Sequence, residues 1–369
     1  MKLKMKTEKK IVVNASALRS GGALTILRQF ISEVPADGLE YLIFVDKSVS
    51  FSLLKNNIQT VQVNTRSFIK RFFWDICGLK KWLKRNHVVP LSAISLQNTN
   101  FRLNQRCPNY IYYHQSLPFY QYNWSFLKKS ERSLWFYKII YPFFVALFLN
   151  RKTEVFVQLE FVKQGFVKKF NFDANRVHVV FPNLDIPSIA RNYHIAIDEN
   201  ALNLFYPADA HVYKNHQILF EALALIDKML KKKVILYLTV SFEECNFSEQ
   251  FENVDIVFLG KITHQEVMWM FHHVDTLLFP SYVETLGLPL IEAASVGLPV
   301  FVSDLPYSRE VLDGYEGAVF ISYNNANDWA LKINELSLSK SKRFVPYTKS
   351  GIKSWDDFFA IIKNKLQYV

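Results

Sequence analysis

Short apolar runs alternate along this chain with stretches whose apolar residues recur at helical spacing, and the alternation runs twice. "KKIVVNAS" leads through a Gly-Gly into "LTILRQFISEV", and "YLIFVD", "NYIYYHQ", "TEVFVQLEFVKQGFVKKF" and "RVHVVFPN" follow. Strands read as continuous apolar runs when both their faces are covered, so this grammar predicts a parallel sheet with helices on either side. Around Asn183–Asn203 the pattern lapses into "NLDIPSIARNYHIAIDEN", which reads as a linker. It then restarts with the strand "ALNLFYPAD", the helix "HQILFEALALIDKML" and the strands "KVILYLTV" and "VDIVFLG". After these come "THQEVMWMFHHV", "DTLLFPS" and "LPVFVSD". We expect two α/β units facing each other across a cleft: residues 1–185, residues 186–350, and a helix in 351–369 packing back on the first unit. At 369 residues the chain is long enough for two cores.

The charge is divided between these halves. Residues 1–185 hold 28 Lys and Arg against 11 Asp and Glu, and the rest holds 16 against 22. The first unit is therefore suited to an anionic partner. In Arg66–Asn86, "RSFIKRFFWDICGLKKWLKRN", seven basic residues are interleaved with large apolar ones. Phe72, Phe73, Trp74, Lys80, Lys81, Trp82, Lys84 and Arg85 read as a helix lying in a membrane interface. "LWFYKIIYPFFVALFL", Leu134–Leu149, is too short to span a bilayer and is interrupted by Lys138 and Pro142. It suits a buried helix and an interfacial one equally. Membrane contact is expected to be peripheral, at the cytoplasmic face. "MKLKMKTEKK" reads as a frayed start, too weakly followed for a signal peptide. Cys77, Cys107 and Cys245 form neither a disulfide framework nor a metal spacing, which suits a reducing compartment.

The chemistry concentrates in "FPSYVETLGLPLIEAASVGLPVFVSD", Phe279–Asp304. Glu284 and Glu292 stand with seven residues between them, among apolar neighbours, around Gly287-Leu288-Pro289. Pro289 predicts a helix start and Gly297 its stop, with Glu292 in the first turn. The N–H groups of Gly287, Leu288 and Leu290 then form an anion site at the helix N-terminus. Carboxylates beside such a site suit sugar and ribose hydroxyls at the two ends of a diphosphate.

This stretch resembles the nucleotide-sugar signature of the retaining, GT-B-fold glycosyltransferases of family four. Thr285-Leu286 replaces the family's usual Gly-Phe. The resemblance implies that Glu284 contacts the donor sugar, Glu292 the ribose diol, and Gly287 and Leu288 the distal phosphate. "YPADAHVYKNHQILFEAL" is similar to the family's diphosphate loop, with Lys214 neutralising the leaving group. Ala208 stands where the family commonly has an arginine. In the first unit the resemblance implies donor contacts for Gly21 and Gly22, and a sugar contact for His114, although a satisfied core histidine fits His114 as well. His264 reads as a surface residue at a helix start.

The chain has no Asp-x-Asp, and His211, His216, His272 and His273 form no ligand set, so we expect no metal and no cofactor beyond the donor. The expected reaction moves a hexose from a nucleotide-diphosphate sugar to a lipid-linked saccharide in surface polysaccharide synthesis, without nucleic acid. The alternatives are a sugar-nucleotide epimerase and a non-catalytic relative that binds membrane or nucleic acid.

Overall fold

The computed structural model describes residues 8–103, 107–150, 152–183, 195–245, 250–339, 342–349, 351 and 353–366. The basic start at residues 1–7 and residues 184–194 of the predicted linker lie outside the described residues. The chain divides into two compact units, Met1–Asn183 with Ile352–Val369, and Leu184–Gly351.

Among the described residues the first unit holds seven strands: β1 (Glu8–Ala15), β2 (Tyr41–Asp46), β3 (Ile58–Val63), β4 (Val88–Ser95), β5 (Asn109–Tyr113), β6 (Thr153–Val157) and β7 (Val177–Val179). They form one parallel sheet in the order β3-β2-β1-β4-β5-β6-β7. The described residues of the second unit hold six: β8 (Leu202–Tyr206), β9 (Val234–Leu238), β10 (Val254–Phe258), β11 (Thr276–Phe279), β12 (Val300–Ser303) and β13 (Ala318–Ile321). Their order is β10-β9-β8-β11-β12-β13, again all parallel. Both sheets grow outward from their first strand in two directions, the doubly wound plan, so each has a switch point at which ligands bind beyond the strands' carboxyl ends. It lies between β1 and β4 in the first unit and between β8 and β11 in the second.

Sequence periodicity did not disclose β3, β4 or β13. In β4 the obstacle is Pro90, which lacks an N–H and is unusual in a central strand. The sheet accommodates it at an irregularity: Lys10 stands opposite Pro90 but Ile11 opposite Ser92, and pairing with β5 begins only at Ala93. β3 is an edge strand with only Ile58 buried, so its "IQTVQV" carries no apolar run.

The helix Trp355–Leu366 belongs to the first unit. Ser354 and Asp357 cap it, through Asp356 N–H to Ser354 Oγ at 3.3 Å and Ser354 N–H to Asp357 Oδ2 at 2.9 Å. Trp355 is fully buried, stacked on Tyr112 at 4.9 Å between ring centroids, with its indole N–H 3.3 Å from Gln29 Oε1. Phe358 packs on Phe156 and Phe359 on Phe30, so the last helix completes the core begun by the helix Gly21–Glu33.

The basic stretch near residue 70 folds as a continuous helical run, Phe68–Phe73, a π-turn at Trp74–Gly78, then Leu79–Arg85. The π-turn delivers Asp75 into the interior, where it accepts from Asn14 Nδ2 at 2.8 Å and Gln97 Nε2 at 2.9 Å. Arg71, at 4.0 Å, donates to Gln97 O and to the Tyr141 hydroxyl. Burial pushes the Asp75 carboxyl up to about 7 against these donors. Two of the expected docking residues turn inward: Trp74 and Trp82 meet Phe44 edge-on at 5.3 and 5.0 Å. Phe72 is half-buried against Phe144 at 5.3 Å. The inserted residue of the π-turn rotates the run, so its two ends do not present one face. Phe73, Lys80, Lys81, Lys84 and Arg85 are exposed. Among the described residues no helix is long and apolar enough to cross a membrane.

Candidate functional site

In the second unit the loops after β8 and β11 flank the switch point, and they are stapled together. After Tyr206 the chain makes a short turn at Val212–Lys214, and Asn215 takes the left-handed conformation at φ +60° before the helix His216–Ile226. Asn215 Nδ2 donates to Tyr323 O at 2.8 Å and Pro280 O at 3.3 Å. Tyr213 O accepts from Tyr282 N–H at 3.0 Å and Ser281 Oγ at 3.2 Å. The Tyr206 hydroxyl donates to Lys214 O at 2.7 Å. Two residue types far apart in sequence are thereby fixed within contact.

That contact is the ion pair of Lys214 Nζ with Glu284 Oε1, 2.5 Å apart, both side chains largely buried. The ammonium also lies 5.6 Å from the Tyr213 ring centroid and 5.7 Å from that of Phe279. A charge pair this sheltered from water is screened far less than one on the surface. Beside it, His216 is buried against the Tyr206 ring at 4.8 Å, and its Nε2 has no hydrogen-bond partner. Burial and then the Lys214 charge hold its pKa down to about 4, so it is neutral at physiological pH.

The helix after β11 runs Leu288–Ser295, with Gly287 before it in the left-handed region at φ +75° and Pro289 in its first turn. Gly297, at φ +71°, ends it: Leu298 N–H bonds Ala293 O and Gly297 N–H bonds Ala294 O, both at 3.0 Å. Two details differ from the sequence reading. Because the helix begins at Leu288, Glu292 opens its second turn and not its first. The Leu290 N–H is already taken by Gly287 O at 2.9 Å, so it is not available to the anion site expected from the sequence.

Glu292 is 8% exposed, and its Oε1 lies 2.8 Å from His264 Nε2. A carboxylate only accepts, so Nε2 carries the proton. Glu292 Oε2 accepts no hydrogen bond from the described residues. His264 opens the helix His264–His273, but the cap there is a box formed by Thr263 and Glu266. His264 is exposed at the first position of its helix, as the sequence reading has it, and the structure adds a partner: its imidazole meets Glu292 across 28 positions of sequence. The only local clue is that Thr263 and Glu266 already satisfy the helix end, which frees the histidine for another partner.

In the first unit, Gly21 and Gly22 do not precede the helix but begin it, with open space where a Cβ would project from either. Gly21 has φ +56°. His114 follows β5 directly; its N–H bonds Asn98 Oδ1 at 2.6 Å and its Nε2 donates to Leu96 O at 2.9 Å. Burial lowers its pKa, so the ring is held neutral and in one orientation. Among the described residues no three His, Cys, Asp or Glu side chains are grouped to hold a metal.

Residues 194–350 match the family model described as glycosyl transferases group 1. The O-antigen chain mannosyltransferase RfbU of Salmonella typhimurium is 23% identical over 230 residues, 60% of this chain and 59% of that protein's length. The fold is similar to sucrose-phosphate synthase from Thermosynechococcus elongatus, with TM-score 0.63 and 14% identity over 90% of each chain. It is also similar to Anabaena HepE, solved in complex with UDP and glucose, at TM-score 0.58 and 15% identity over 88% of this chain and 89% of that one. The architecture is therefore GT-B, two Rossmann-like units, as the donor signature led us to expect. Over residues 194–350 this chain carries a glycosyl transferases group 1 domain.

Proposed function

We propose that this protein is a retaining glycosyltransferase that moves a hexose from a nucleotide-diphosphate sugar to a lipid-linked saccharide at the cytoplasmic membrane face. The observation that carries this reading is the Lys214–Glu284 pair at the switch point of the group 1 domain, with Glu292, nearby in sequence, held by His264. In it, the donor diphosphate takes the Lys214 ammonium and the Gly287 and Leu288 N–H groups, and Glu284 passes from Lys214 to a hydroxyl of the sugar. Glu292 keeps His264 on Oε1 and accepts from the ribose with Oε2. As the anomeric C–O bond breaks, the charge growing on the diphosphate is met by Lys214 without reorganisation. The acceptor hydroxyl attacks from the leaving-group face and its proton passes to the departing phosphate. We assign the diphosphate charge to these residues and to no metal. His114 and the open Gly21-Gly22 turn are given to the sugar and acceptor side, and the basic first unit to the anionic membrane.

The test is a thermal-shift screen with UDP, GDP, ADP and TDP, each with and without a chelator. A nucleotide at 100 times its Kd stabilises by about 2.7 kcal/mol. One nucleotide should shift the native protein, Lys214→Ala and Glu292→Ala should abolish the shift, and chelation should not. His264→Gln, which keeps an N–H donor, should retain more of the shift than His264→Ala. No shift with any nucleotide would remove the donor site from this reading. Donor conversion to an epimer without acceptor, followed by NMR, would replace the transferase with an isomerase.

A further inference from the structure

The first unit exposes large apolar side chains on helices that are locked to one another. The helix Phe68–Phe73 has no buried residue. Its Ile69 and Phe73 are 66% and 59% exposed, and Phe143 and Leu147, on and just after the helix Tyr141–Ala146, are 70% and 55% exposed. These helices do not present such residues because they are loose. Phe68 meets Phe136 at 5.2 Å and Phe144 at 4.9 Å, and Phe72 meets Phe144 at 5.3 Å, all edge to face. An aromatic seam thus fixes both helices and the helix Arg132–Ile139 as one plate, and the four exposed side chains project from it. Two large apolar side chains thus stand one helical turn apart on each of two neighbouring helices, a clustering of exposed apolar groups that contrasts with the singly scattered ones of an ordinary surface.

The exposed charges on and beside these elements are basic. Arg66 and Lys70 are exposed at the first helix, and the sole acid in Arg66–Asn86, Asp75, is buried. Lys129 and Arg132 are exposed beside the second helix, where Glu131 is the one acid and pairs with Lys128 at 3.2 Å. A protein interface here would carry charges of both signs, and a nucleic acid would gain little from Ile69 and Leu147. Bulky apolar groups among unopposed lysines and arginines match a bilayer surface with anionic headgroups.

We propose that the plate formed by helices Phe68–Phe73, Arg132–Ile139 and Tyr141–Ala146 docks this protein on an anionic bilayer, with Ile69, Phe73, Phe143 and Leu147 entering the interface. This deepens the reading that the first unit receives a lipid-linked acceptor, and it moves the contact away from Trp74 and Trp82.

The experiment is co-flotation of the full chain with phosphatidylcholine vesicles, with and without phosphatidylglycerol, at low and high salt. The native protein should float with the anionic vesicles and keep part of that binding at high salt. Phe73→Ser with Phe143→Ser should weaken it at least about tenfold, since each ring loses its apolar transfer. The same double variant should keep its melting temperature and whatever nucleotide shift the native protein has, which separates this proposal from the donor-site reading. Trp82→Ser serves as the control that should leave flotation unchanged in any protein that still folds. Undiminished flotation of the double variant, binding abolished by salt alone, or preferential binding of RNA over vesicles would each overturn the proposal.

Discussion

His216 shows how one side chain in this protein ties folding stability to pH. It lies between the Tyr206 ring and Lys214, with no partner for Nε2 and a pKa of about 4. A histidine in the unfolded chain titrates near 6.5. Between those values the unfolded state binds the proton and the folded state does not, so stability falls as pH drops from about 6.5 to about 4. The loss amounts to as much as about 3 kcal/mol at the lower end and is absent above the upper. Urea melts of native protein and His216→Gln across that window should show a steeper acid slope for the native chain. Equal slopes would take His216 out of the account. The residue type was visible in sequence; its burial was not, because a histidine at a helix start is equally often on the surface.

At the scale of the element, Gly297 decides how the helix Leu288–Ser295 hands over to β12. A Cβ there would stand 2.2 Å from the Phe344 carbonyl oxygen, which belongs to the segment that returns its own N–H to Gly297 O at 2.8 Å. Gly297→Ala adds left-handed strain of about 1–2 kcal/mol to that collision. A loss of at least about 2 kcal/mol in urea melts of the second unit is expected, with a weakened nucleotide shift because Glu292 rides on this helix. A neutral substitution would mean that the Phe344 segment simply moves away. The glycine's role as a helix stop is legible in "SVGLPV"; the need for Gly specifically, with nothing larger, comes from a segment some fifty positions downstream. The Lys214–Glu284 pair is similar. Each residue stood out by its motif, while their 2.5 Å contact required β8 and β11 to be neighbours across a switch point.

At the scale of the whole molecule, the last helix makes the first unit depend on residues beyond the second. Trp355 is wholly enclosed, and its neighbours Phe30 and Tyr112 lie more than two hundred positions earlier. Trp355→Ala should cost about 3–5 kcal/mol. Because the chain forms two compact units, that loss should appear in calorimetry as an earlier transition for the first unit, with the nucleotide-dependent transition of the second unchanged. A single transition lowered as a whole would show that the units unfold together.

The sequence by itself determined the two rounds of strand and helix and the parallel sheets, because these rest on local periodicity, and it singled out Glu284, Glu292, Lys214 and the glycines because each stands in a motif within one turn or loop. Only the tertiary structure decided that His264 holds Glu292, that Lys214 meets Glu284, that Trp74 and Trp82 turn inward while Phe143 and Leu147 face out, and that β4 tolerates Pro90. Each of those is a choice between buried and exposed, or between partners, made by strands and helices that sequence separates and packing brings together.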